Sequence, residues 1–98
     1  MRELKDIRDD VNEIDKKMRE LFIKRMKLSR EIAEYKNAHG LAIYDPEREA
    51  KVIEKNAIEL NDEALRSFYL SFLQSNMDIS KAYQHMILAK IGAADSQN

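Results

Sequence analysis

The sequence predicts an all-α protein of three helices per chain, the first unusually long, assembled as a homodimeric helical bundle. Three observations carry this. The 98 residues include only two glycines and one proline, too few turn formers for an all-β fold. The punctuation gathers between Gly40 and Pro46, with a softer break at Asn61-Asp62, and divides the chain into three segments without an internal repeat. Within those segments apolar residues recur at steps of three and four, the spacing of one helical face.

The first helix is expected from about Glu3 to Ala38. Its apolar residues are Leu4, Ile7, Val11, Ile14, Met18, Leu21, Leu28, Ile32 and Tyr35, a heptad seam with one slot skipped. Gly40, just past His39, suits a helix stop. Such a helix is about 50 Å long at the usual rise per residue. A compact chain of this size has a radius of gyration of only ~13 Å. One end of the helix must then project with its seam uncovered, and a second copy of the chain is the direct remedy.

The second helix opens at Asp45-Pro46-Glu47. Asp45 suits the N-cap, Pro46 the first helical position and Glu47 the positive dipole end. It should reach about Leu60, with Val52, Ile53, Ala57 and Leu60 turned inward. The third helix should start after Asn61 or Asp62 and run to Leu88 or Lys90. It carries two seams, one along Leu65, Phe68, Phe72, Ser75, Ile79, Ala82 and Met86, the other along Tyr69, Leu73, Asn76, Ser80, Tyr83 and Ile87. A helix apolar on two flanks packs against more than one neighbour. Residues 1–90 thus form one helical domain, and residues 91–98 are expected to be a disordered tail.

Composition narrows the function. Without cysteine there is neither a disulfide framework nor a thiolate metal site. No apolar run is long enough to span a bilayer, and the charged start Met1-Arg2-Glu3-Leu4-Lys5-Asp6 lacks a signal-peptide core. A cytoplasmic protein is expected. Charged residues make up 36% of the chain, yet the net charge is −1, which gives no overall pull toward nucleic acid. An anion site must be built locally from a few cations.

The seam of the first helix shows where. Its skipped slot is Arg25, and an arginine inside an apolar stripe is costly to bury unpaired. Lys36, about three turns on, falls on nearly the same face. In a purely structural role, Arg25 would pair with a glutamate across the bundle and Lys36 would reach solvent. Arg48 and Glu49 occupy the first turns of the second helix, however, and Ser80 and Gln84 share a face of the third. Together these residues can line a small cationic cavity, suited to a compact molecule bearing more than one carboxylate. His39 and His85 read as surface residues, the methionines as core packing, and the acidic start around Asp6, Asp10 and Glu13 as a solvated face.

The stretch Ile7-Arg8-Asp9-Asp10-Val11-Asn12-Glu13-Ile14-Asp15 resembles the opening of the all-helical chorismate mutases, and the likeness continues through Leu21, Arg25, Leu28, Ile32 and Lys36. Asp45-Pro46-Glu47-Arg48-Glu49 resembles that family's second-helix motif, and Ser80-Lys81-Ala82-Tyr83-Gln84 its third. The resemblance spans about Ile7 to Gln84. It implies an intertwined dimer with the long first helices packed together. It also implies rearrangement of chorismate to prephenate in the biosynthesis of phenylalanine and tyrosine, with no cofactor and no metal. Arg8 would enter the partner's site, while Arg25, Lys36, Asp45, Arg48, Glu49, Ser80 and Gln84 would come from the same chain. Arg8 and Arg25, assisted by Ser80, would clamp the carboxylates, and Lys36 and Gln84 would donate to the ether oxygen. Glu49, aided by backbone at Asp45, would accept from the ring hydroxyl, and Arg48 would support the carboxylate end and position Glu49. Two further readings stand beside this one: an isochorismate-pyruvate lyase of the same fold, and a non-catalytic helical regulatory or dimerisation module.

Overall fold

The computed structural model describes residues 1–96 and contains three helices, α1 (Leu4–Ala38), α2 (Pro46–Leu60) and α3 (Arg66–Ser96), with no strand among the described residues. Each boundary has a local cause. Past Ala38 the Leu41 N–H bonds back to the Lys36 carbonyl (2.8 Å) and the Gly40 N–H to that of Asn37 (3.4 Å). This double closure needs a left-handed residue, and Gly40 supplies it with φ +65°. At the start of α2, Asp45 Oδ1 accepts from the Arg48 N–H at 3.0 Å and Pro46 takes the first helical position. Asn61, at φ 50°, ends α2.

Two boundaries differ from the sequence reading. The third helix begins at Arg66, because Asp62 caps an intervening turn by accepting from the Leu65 N–H at 3.1 Å. It also continues past Lys90 to Ser96, so residues 91–96 are helical and the expected tail is corrected there. One glycine inside a helix costs only about 1 kcal/mol relative to alanine, and Gly92 lies between Ile91 and the helix-forming Ala93 and Ala94. Gln97 and Asn98 lie outside the described residues.

Helices α1 and α2 each pack on α3 and not on one another. Small residues set the first contact: Ser29 and Ala33 are the buried positions of α1, and the Ser29 hydroxyl donates to the Ser80 carbonyl at 3.3 Å. Ala33, Ile43 and Ile87 form a small core flanked by Tyr83, Leu88 and Ile91. On α2, Ala57 is buried and Val52, Ile53 and Leu60 are half-buried, as the apolar pattern requires.

The α1 seam is not part of this core. Leu21, Leu28 and Tyr35 are 62%, 58% and 59% exposed. The first α3 seam is exposed as well, including Phe68, Phe72, Ile79 and Met86. The second α3 seam does pack within the chain, with Leu73 and Ile87 buried. The molecule measures 64 × 29 × 14 Å and its radius of gyration is 17.7 Å, well above the ~13 Å of a compact domain. Among the described residues no helix is long and apolar enough to cross a membrane.

Candidate active site

A cleft of about 590 Å³ lies where the middle of α1, the start of α2 and the centre of α3 converge. The C-terminal closure of α1 turns the chain back so that Ile43 is buried, and the Lys36 ammonium donates to the Ile43 carbonyl at 2.9 Å. This bond fixes both the side chain and the loop leading to Asp45. The N-cap at Asp45 then sets the first turn of α2, which carries Arg48 and Glu49 to the cleft wall. From the opposite side α3 presents Ser80, Lys81 and Gln84.

Seven of the eight sequence-predicted residues meet here: Arg25, Lys36, Asp45, Arg48, Glu49, Ser80 and Gln84 all line the cleft. Arg8 does not. It lies seventeen residues before Arg25, about 25 Å along the helix axis, and is exposed. The separation follows from the unbroken run of α1, on which both residues lie.

The cleft walls carry five basic side chains (Arg25, Lys36, Arg48, Lys55 and Lys81) against three acidic ones (Asp45, Glu49 and Glu59). Their pairing matters more than the surplus of two. The pairing of Arg25 with a glutamate does not form. Among the described residues the side chains of Arg25 and Arg48 make no ion pair or hydrogen bond. Guanidiniums lining a concavity without a carboxylate partner are suited to bidentate capture of a ligand's carboxylates.

The donors are held in place. Gln84 is 6% exposed and its Nε2 donates to the Ser29 carbonyl at 3.1 Å. A primary amide carries two N–H bonds, so one orients the group and the other remains for a ligand. The Lys36 ammonium likewise has protons beyond the one given to Ile43.

Sequence reasoning assigned no role to Lys81. Its Nζ lies 2.9 Å from Glu49 Oε1 and 3.3 Å from Oε2, and 4.7 Å from the centroid of the Tyr44 ring. The hydrogen bond with Glu49, and then the attraction of its charge, hold the Lys81 ammonium above the ordinary lysine value, against the opposing effect of desolvation. Its position three residues before Gln84 was the available signal, since such neighbours share a helix face.

The arrangement can bind and orient a compact dianion and place donors on one of its oxygens. The family model for chorismate mutase type II matches residues 7–85. The chain belongs to the type II chorismate mutase family. Among relatives, it is 37% identical to the T-protein of Haemophilus influenzae over 59 residues, 60% of this chain and 16% of that protein. The bifunctional chorismate mutase/prephenate dehydratase of Aquifex aeolicus is 40% identical over 63 residues, 64% of this chain and 17% of that protein. The chorismate mutase of Methanocaldococcus jannaschii is 40% identical over 52 residues, 53% of this chain and 52% of that protein. The chain thus spans from about a sixth to about half the length of these curated relatives. No solved structure gives a significant match. The chorismate mutase match covers α1 from Ile7, the whole of α2, α3 as far as His85, and every lining residue named above.

Proposed function

We propose that this chain catalyses the rearrangement of chorismate to prephenate, in the cytoplasm, as an intertwined homodimer. The observation that carries the reading is the cleft in which Arg25 and Arg48 stand unpaired beside the fixed donors Lys36 and Gln84. Membership of the family supports it.

The reaction breaks one C–O ether bond as one C–C bond forms, within a single molecule. Nothing leaves and no electron or proton is exchanged, so the site needs no nucleophile. It must hold the folded conformer and stabilise charge as the ether bond lengthens. Arg25 and Arg8 of the partner subunit bind the two carboxylates, with Ser80 assisting. Lys36 and the second amide proton of Gln84 donate to the ether oxygen, where negative charge grows. Glu49 accepts from the ring hydroxyl, with backbone at Asp45 beside it, and Arg48 supports the carboxylate end of the substrate. Donors fixed before the reaction cost no reorganisation during it, which is how such a site favours the transition state over the bound substrate.

The dimer is supported by the exposed apolar faces. Leu21, Leu28 and Tyr35 on α1 and Phe68, Phe72 and Ile79 on α3 are all at least 47% exposed in the single chain. So many large apolar side chains left exposed mark an interface, and a two-fold partner offers the same surfaces in return. Sedimentation equilibrium at micromolar concentration should therefore give twice the chain mass. A folded, active monomer would contradict both the dimer and the assignment of Arg8.

The activity is tested by incubating the pure protein with chorismate and, separately, with isochorismate, and identifying the products. Prephenate from chorismate is the expected result. Pyruvate and salicylate from isochorismate, with chorismate unchanged, would overturn the reading in favour of a lyase. Turnover of neither would leave the family fold without this activity.

A further inference from the structure

The Glu49 carboxylate is anchored from one side only. Its side chain is 18% exposed and that of Lys81 26%. The Lys81 ammonium hydrogen-bonds Oε2 at 3.3 Å. The closer approach, 2.9 Å to Oε1, is a charge contact, and Oε1 is fully enclosed without a hydrogen bond among the described residues. The ammonium charge 2.9 Å away offsets the burial of Oε1, and the carboxylate keeps part of its surface on the cleft. The cation is itself restrained. It lies beneath the Tyr44 ring at 4.7 Å and within 3.5 Å of Asp78 on its own helix. It spans from α3 to α2 across the cleft wall. Lys81 therefore stays charged over the whole neutral range, since Glu49 raises its ammonium above the usual lysine value.

We propose that Lys81 is a positioning residue: it grips Glu49 across the α2–α3 wall and so holds the exposed part of that carboxylate toward the cleft, as the acceptor for the hydroxyl of the bound substrate. This rests on the chorismate mutase reading and adds to it a residue that touches Glu49 and not the reacting atoms. A tie between two helices with no catalytic consequence is the competing account, because a partly exposed ion pair contributes little to stability. The two accounts differ in what happens when Glu49 is absent.

Turnover of chorismate is measured for the full chain and for Lys81→Met, Lys81→Arg, Glu49→Ala and the double variant Lys81→Met with Glu49→Ala, with melting midpoints for each. Lys81→Met should lower kcat about tenfold, and Lys81→Arg should recover most of it. In the Glu49→Ala background the same Lys81→Met change should cost nothing further, since coupled residues are not additive. If Lys81→Met melts below the assay temperature, Lys81→Gln takes its place under the same criteria. An undiminished tenfold loss in the Glu49→Ala background, or no loss in the unsubstituted background, overturns the assignment while the mutase reading stands. An unsubstituted chain that forms no prephenate overturns the mutase reading and this assignment together.

Discussion

Gln84→Glu should lose roughly a hundredfold in turnover at neutral pH and regain activity as the pH falls. The amide of Gln84 is buried, and one N–H is committed to the Ser29 carbonyl at 3.1 Å. The other is assigned to the breaking ether bond. An amide does not titrate near neutrality, so the native contact persists across that range. Glutamate has nearly the same shape but donates only when protonated, with a reference pKa of about 4.3. As a carboxylate it would face the growing charge on the ether oxygen and, at the same time, the Ser29 carbonyl. Loss of about 3 kcal/mol of transition-state stabilisation corresponds to the stated rate loss. The sign follows from the proton: acidification restores a donor, so activity rises until other groups titrate or the fold fails. Turnover against pH for both proteins, with circular dichroism at each pH, measures this. A flat profile at the native rate would show that Gln84 does not act on the ether oxygen.

Arg25→Ala and Arg8→Ala should each cut kcat/KM by on the order of a thousandfold, about 4 kcal/mol, since each leaves a substrate carboxylate desolvated without its clamp. Neither should lower the melting midpoint. Among the described residues the Arg25 and Arg8 side chains make no ion pair or hydrogen bond, so their removal leaves no protein anion unpaired. Severe loss of activity with unchanged stability separates a binding role from a structural one. Steady-state kinetics and a thermal melt of each variant supply the comparison. Destabilisation in proportion to the lost activity would assign these arginines to the fold instead.

The parts of this protein legible in the sequence are those written locally. Gly40 stops α1 because a left-handed residue is needed there, and Asp45-Pro46 starts α2 because the cap and first turn demand those types. Sidedness was harder. The α1 seam was visible in the spacing, but within one chain it stays largely exposed, with Leu28 and Ile32 beside the cleft, and the α1 surface that does pack on α3 is the inconspicuous pair Ser29 and Ala33. Small residues that permit close approach carry no apolar periodicity. The start of α3 was read early because Asp62 caps a turn and not the helix, two roles that share one hydrogen-bond pattern. The end of α3 was read early because the small and polar residues after Ile91 continue neither apolar seam and read as a tail, although the helix runs on to Ser96. In the cleft, Arg25 was exposed by its misfit to the seam. Lys81 gave no such misfit, and only the fold shows that it reaches across to Glu49.

The central claim is a site completed by a second chain, and subunit mixing tests it most directly. Arg8→Ala protein and Arg25→Ala protein, each nearly inactive, are mixed in equal amounts and allowed to exchange, with exchange verified by mass. In each mixed dimer one site would carry both lesions and the other neither. Random exchange makes half of the dimers mixed, so the account predicts recovery of about a quarter of the unsubstituted rate per chain. Verified exchange with no recovery of activity would contradict it.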